Sequence, residues 1–341
     1  VWSLLCFKRS NFNAKGRMKK ILVIFTGGTI GSSVNDGAID TDEKTSFLLL
    51  AQFKERYPKA DVTFTTMQPY QILSENLVPK VWTTLILTIE NEDLQNYDGI
   101  IVTHGTDTLA YTAAALGFYF HALNRPIFLV SSHFPLSNKK ANGLDNFSFA
   151  VEKIMTENLT GVFVPYRNPS EKIVTLHKST HLTCSPQLSS DFFSVSGKAK
   201  VSKNFFDTSL KPQFSDKILL IKPYPCLNYD YFNLENVEAV LHDLYHSGTA
   251  CTTGQWGENK SLLHFINRCN TQNIAVYLAP VLELKEVYQS THELNLCGAT
   301  ILWNMTIEAA YVKLSLAYGN FTSETTIVSF MQQNLADEYI N

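Results

Sequence analysis

The sequence predicts an α/β protein: a larger N-terminal domain of three layers on a parallel sheet, then a smaller C-terminal α/β domain. Three observations carry this. Short continuous apolar runs, Ile21–Phe25 and Gly99–Thr103, stop at glycine turns, as buried parallel strands do. Strand-like and helix-like stretches alternate at roughly 30-residue intervals, the spacing of βαβ units. That rhythm breaks in a polar, Ser-rich stretch between about Ser185 and Ser215 and then resumes, as it would at a linker.

Each element has its own signal. Residues 1–17 are expected to be a non-native or disordered N-terminal extension. They lack the long apolar core and small-residue cleavage site of a secretory signal, and Met18 reads as a natural start. Ile21–Phe25 is the first strand. Thr45–Arg56 has helical periodicity and Asp61–Thr66 alternates as a strand. Ser74 is a candidate N-cap for a helix running to about Glu92. Gly99–Thr103 is a strand, Thr106–Leu123 a helix, Pro126–Ser131 a strand, Asn142–Thr156 a helix and Gly161–Val164 a strand. After the linker come the strand Ile218–Ile221, a helix near Asn236, the helix Ser261–Arg268, the strand Ile274–Leu278, and helices over Met305–Ala317 and Glu324–Asn334. The domain limits are 18–195, a linker over 196–215, and 216–341.

Composition excludes several classes of function. The chain has 341 residues, 45% hydrophobic, enough for two cores at about 150 residues each. Lys+Arg is 28 against 31 Asp+Glu, a net charge of -3, which argues against a nucleic-acid binder. No apolar run reaches the roughly 20 residues of a membrane span. The six cysteines are scattered without CxxC pairs and read as reduced thiols of a cytoplasmic protein. No Cys/His spacing suggests a metal, and no metal or cofactor is expected.

Ligands of open parallel sheets bind beyond the carboxyl ends of the strands. Thr26-Gly27-Gly28-Thr29-Ile30-Gly31 follows the first strand: the glycines let the backbone turn sharply, and Thr29 presents a hydroxyl there. His104-Gly105-Thr106-Asp107-Thr108 follows a second strand and opens a helix, where free N–H groups favour developing oxyanions. The first segment lacks the phosphate-loop lysine and is not GxGxxG, so a nucleotide site is not indicated. Taken singly, a Gly-Gly is a turn and a Thr or Asp opening a helix is a cap. Two threonines, an acid and free amides at two strand ends suit acyl transfer.

The two segments, Thr26–Gly31 and Thr103–Ala113, together resemble the paired signature segments of the L-asparaginases, closest to the bacterial cytoplasmic, type I branch. Weaker likenesses are Leu73–Leu77, Ser131–Leu136 against a GSQxPL segment, and Asn304–Ala309 against a DMTxEA helix start. The resemblance implies conversion of L-asparagine and water to L-aspartate and ammonia. Thr29 would be the nucleophile, with Thr106, Asp107 and Lys178 activating it or the water, and Lys172 as the competing lysine. Ser74, Glu75, Thr106 and Asp107 would hold the substrate's α-amino and α-carboxylate groups. It also implies a homodimer or homotetramer, with no nucleic-acid or membrane partner.

The chain departs from the family pattern in places. Ala38 stands where type I enzymes carry a loop tyrosine, and the Arg-Gly before the catalytic lysine is missing. The second-domain GVGN-like loop reads Thr253–Gly257, and Ser131-Ser132-His133 replaces GSQ. His133 and His177 are expected in loops facing the site, as capping residues or as a substitute base. Alternatives are therefore a glutaminase-asparaginase, a catalytically weak protein that binds asparagine or aspartate as a sensor or partner module, or the asparaginase-like component of a tRNA-dependent amidotransferase. The last usually has an extra N-terminal domain, for which residues 1–17 leave no room.

Overall fold

The protein is described by a computed structural model covering residues 17–28, 30, 32–35, 38–41, 43–196 and 209–340, with backbone alone described for 32–47. Residues 1–16 of the expected N-terminal extension, Thr29 and most of the expected linker lie outside the described residues. The chain divides between Ser194 and Val195 into two compact units.

The first unit is a six-stranded sheet in the order β4-β1-β5-β6-β7-β8. Its strands are β1 (Lys19–Ile24), β4 (Val62–Met67), β5 (Gly99–Thr103), β6 (Pro126–Val130), β7 (Gly161–Tyr166) and β8 (Thr175–Lys178). A separate hairpin pairs β2 (Ser32–Asn35) with β3 (Ala38–Thr41). Its helices are α1 (Glu43–Arg56), α2 (Pro79–Glu90), α3 (Leu109–Tyr119) and α4 (Gly143–Thr156).

Every residue of β5 and β6 is buried, because helices cover both faces. Ile21 and Val23 turn to one face with Ile101 and Phe128, against Phe53 of α1 and Phe147 of α4. The opposite face carries α2 and α3, joined by the Trp82 indole donating to Thr112 Oγ1 at 3.0 Å. These are the three layers of the expected α/β fold.

Two expectations need correction here. The sheet is mixed, because β8 runs antiparallel to β7. The connection over 167–174 contains no helix, so the chain folds straight back as a hairpin does. Ser74 is not a helix N-cap. It opens a short 3₁₀ turn, Ser74–Asn76, and α2 starts afresh at Pro79, whose fixed φ suits a first helical position.

The second unit is a four-stranded parallel sheet, β12-β11-β10-β9. Its strands are β9 (Ile218–Ile221), β10 (Ala239–Asp243), β11 (Ala275–Val281) and β12 (Thr300–Trp303). The helices are α5 (Leu262–Thr271), α6 (Gln289–Leu296), α7 (Ile307–Asn320) and α8 (Glu324–Met331). The helix expected near Asn236 does not form. Asn236 takes a left-handed φ of 62°, which Asn tolerates in a turn and a helix does not. The chain enters β10 instead. Thr306 caps α7 by accepting from the Ala309 N–H at 3.2 Å.

Candidate active site

The carboxyl ends of β1 and β5 meet at two glycines. Gly27 and Gly28 have φ of 101° and 75°, where a Cβ is strained. Space excludes a side chain as well. A Cβ on Gly28 would lie 2.3 Å from the Gly105 nitrogen, and one on Gly105 would lie 2.4 Å from Ser74 Oγ. Three chain segments, distant in sequence, therefore come into close contact around these glycines.

The turn is held from the side by the segment after β4. Ile72 N–H donates to the Thr26 carbonyl at 3.0 Å, and Gly28 N–H donates to the Ile72 carbonyl at 3.1 Å. Thr26 is buried, and its hydroxyl donates to the Thr103 carbonyl at 2.5 Å. The Thr26 N–H reaches Thr103 Oγ1 at 3.3 Å. These bonds fix the backbone from Thr26 to Gly28.

The structure brings Ser74, Thr106 and Asp107 together. Ser74 Oγ donates to Asp107 Oδ2 at 3.3 Å and accepts from the Asp107 N–H at 3.3 Å. Thr108 Oγ1 donates to the Ser74 carbonyl at 2.9 Å. Thr106 and Asp107 precede α3, with Thr108 at its N-cap position, so they lie just before the helix rather than in its first turn. Asp107 is exposed and Thr106 half-buried, so both present polar groups at the sheet edge. Glu75 is exposed on the 3₁₀ turn beside Ser74.

His104 lies beneath this edge, 3% exposed. Its Nδ1 lies 2.8 Å from the Gly105 carbonyl, and burial pushes its pKa down to about 4. It is therefore a neutral structural imidazole near neutral pH. At the end of β6, the His133 N–H donates to Asn142 Oδ1 at 3.0 Å, and Ser132 Oγ donates to the Phe134 carbonyl at 2.6 Å.

The strand register sets the Lys178 backbone away from this cluster. It ends β8 opposite Phe163, and that register runs through Phe128 to Ile101, the middle of β5. Three strand spacings, about 14 Å, separate its backbone from β5. The antiparallel return of β8 is what carries it away from the carboxyl edge. Lys172 lies in the connection that leaves the carboxyl end of β7, on the same edge as the cluster. His177 is likewise not in a loop: it is a buried β8 residue whose Nδ1 faces Ser194 Oγ at 2.8 Å. Burial takes its pKa down to about 4.

Tyr70 lies in the loop between β4 and the 3₁₀ turn, and burial holds its hydroxyl protonated well above the ordinary tyrosine range. Among the described residues no group of three or more His, Cys, Asp and Glu could hold a metal. None of the helices described is long and apolar enough to cross a membrane. Among the described residues no two cysteines form a disulfide with each other.

A two-domain α/β architecture with polar residues gathered at the carboxyl ends of its first sheet defines the class. The N-terminal asparaginase family model matches residues 20–194, just over half of the chain, and the chain belongs to the asparaginase family. The L-asparaginase of Thermococcus kodakarensis superposes with a TM-score of 0.77 at 22% identity, covering 94% of this chain and 99% of that one. L-asparaginase I of Vibrio cholerae gives 0.75 at 22% identity, covering 96% and 100%. At such identities these likenesses speak for the fold. Among curated proteins, the D-type component of the glutamyl-tRNA(Gln) amidotransferase of Methanococcus maripaludis is 26% identical over 96% of this chain and 82% of its own length. Its counterpart in Methanobrevibacter smithii is 27% identical over 94% and 77%.

Proposed function

We propose that this chain hydrolyses the side-chain amide of L-asparagine to L-aspartate and ammonia through an acyl-threonine intermediate. The observation that carries the reading is the Ser74–Asp107 pair beside Thr106, packed against the Gly27–Gly28 turn that leads directly into Thr29. Asp107 supplies a carboxylate for the substrate ammonium, while Ser74 and the amides before α3 suit its α-carboxylate. Fixing both α-groups of so small a substrate limits where its amide carbon can lie.

In this mechanism the Thr29 hydroxyl attacks the amide carbon and an ester bond forms. The C–N bond breaks, and the hydroxyl proton leaves with ammonia. Water then attacks the ester, releasing aspartate and returning the proton to Thr29. Thr106 is the second hydroxyl, positioned to orient that water. The lysine of this machinery is assigned to Lys172, which lies in the connection leaving the carboxyl end of β7, in preference to Lys178, whose backbone the β8 register sets back from that edge. The protein acts in the cytoplasm as a homodimer or homotetramer, without a cofactor.

The test is ammonia release from asparagine and glutamine by the wild type, Thr29→Ala and Thr106→Ala. Asparagine turnover lost in both variants carries the mechanism, as does a loss of about 10²-fold or more in each. A wild type that is inactive yet stabilised against heat by asparagine is a binding module.

A second reading is favoured by the curated relatives: a component of an amidotransferase, whose released ammonia serves a glutamyl-tRNA(Gln) amidotransferase reaction. Ammonia release that is low in the isolated chain, and rises only with glutamyl-tRNA(Gln) and an amidotransferase partner, selects it.

A further inference from the structure

Thr108 stands at the N-cap position of α3, where a threonine ordinarily spends its oxygen on a free N–H of the first turn. Here it makes no capping bond. Its hydroxyl reaches the segment before α2 instead and donates to the Ser74 carbonyl at 2.9 Å. Capping therefore does not account for this side chain.

That carbonyl belongs to the residue whose own side chain meets Asp107. Ser74 is 4% exposed. Its Oγ donates to Asp107 Oδ2 and accepts from the Asp107 N–H, both at 3.3 Å. Both bonds are long for their type, so they do not by themselves hold Ser74 in place. The shorter bond from Thr108 does, together with the Leu77 N–H, which reaches the same carbonyl at 3.2 Å. Gly105 supplies the room, since a Cβ there would lie 2.4 Å from Ser74 Oγ. Thr108 follows Asp107 in the chain, so one short segment carries both the carboxylate and the group that fixes the carboxylate's partner.

We infer that Thr108 is a positioning residue that sets the preference of this site for ligands with an α-ammonium group. The inference rests on the amidohydrolase reading above, in which Asp107 meets that ammonium. Thr108 touches no ligand in this scheme. It holds Ser74 where its hydroxyl keeps the Asp107 carboxylate aimed, and a carboxylate fixed in advance binds an ammonium with less loss of freedom. A ligand without the ammonium gains little from that order, so the effect falls on preference.

A second bond between neighbouring segments offers a control. One turn along α3, Thr112 Oγ1 accepts from the Trp82 indole of α2 at 3.0 Å, and both residues are buried. It ties α2 to α3 one turn further from the Ser74–Asp107 pair.

The test uses the full chain and three variants. Thr108→Val removes the hydroxyl at similar volume, Thr108→Ser keeps it, and Thr112→Val breaks the neighbouring tie. Titration calorimetry gives Kd for L-aspartate and for succinate, which is aspartate without its amino group. Ammonia release gives kcat and KM for asparagine, with melting temperatures alongside. Thr108→Val is expected to raise KM about tenfold or more, with kcat within roughly threefold. It should weaken aspartate more than succinate, shrinking the preference between them by about fivefold or more. Thr108→Ser should stay within about threefold of the wild type in KM and in preference. Thr112→Val should lower the melting temperature and leave the preference unchanged. Wild-type KM and preference in Thr108→Val overturn the inference. So does a Thr108→Ser as impaired as Thr108→Val, or a Thr112→Val that loses the preference equally.

If the wild type releases no ammonia yet prefers aspartate to succinate, the amidohydrolase reading falls and the inference is judged by calorimetry alone. If the wild type does not prefer aspartate, the inference falls whatever the turnover.

Discussion

At the scale of single residues, the site depends on groups that are absent as much as on those present. Gly28 is compelled twice, by φ of 75° and by the Gly105 nitrogen that a Cβ would meet at 2.3 Å. Gly28→Ala is expected to cost about 1–3 kcal/mol in stability and to abolish ammonia release, read by urea melts and the ammonia assay. Lys172 and Lys178 separate cleanly by place. Lys172→Ala should lower kcat by about 10²-fold or more, whereas Lys178→Ala should leave it within roughly threefold. The reverse outcome would return the catalytic role to the β8 lysine. Ser74→Ala removes both bonds to Asp107 and should raise KM for asparagine more than it lowers kcat.

At the scale of elements, the C-terminal helices are tied by one buried ion pair. Lys313 of α7 and Glu338 are both fully buried, 2.5 Å apart. Lys313 also donates to the carbonyls of Met331 and Gln333, and Glu338 accepts from the N–H groups of Leu335 and Ala336. The chain after α8 is thus drawn back onto α7 by charge-assisted bonds as well as by apolar area. Lys313→Met should destabilise the protein by about 3–5 kcal/mol, because it strands a buried carboxylate. Adding Glu338→Gln should recover part of that loss, and a double variant less stable than the single would refute the pairing. Denaturant titration measures both.

At the scale of the whole molecule, buried histidines set the response to acid. His104, His177 and His242 all have pKa values driven by burial from 6.5 to about 4. His242 sits in the second unit with its Nε2 2.9 Å from the Tyr229 hydroxyl. A folded pKa below the unfolded one means the unfolded chain binds more protons between those values. Stability from these groups is fully present above pH 6.5 and drains as pH falls toward 4. Asp243 acts oppositely. Burial raises its pKa from 3.8 to about 6, so it gains stability on acidification through pH 6. The net is about two protons taken up on unfolding between pH 6 and 4, or roughly 2–3 kcal/mol lost per pH unit. Urea midpoints at pH 7, 6 and 5 should fall accordingly. His177→Gln, which cannot take up a proton, should flatten the slope, and an unchanged slope would exclude that residue.

The sequence by itself determined the α/β class, the buried strands β1, β5, β6 and β7, and the two glycine segments at the carboxyl ends of β1 and β5. Continuous apolar runs and turn glycines are local signals, and local signals survive in one dimension. It also held the residues of the Ser74–Thr106–Asp107 cluster, because short motifs carry their own chemistry. Tertiary structure alone decided the rest. The β8 hairpin, and with it the displacement of Lys178 and His177, depends on strand register, which is a non-local pairing. So does β10, which follows Asn236 where the sequence suggests a helix. The bonds that join Thr26 to Thr103 and to Ile72 link residues far apart in sequence, and they form only when three strand ends meet. Periodicity reports which face a residue turns to, and only the assembled sheet decides what that face meets.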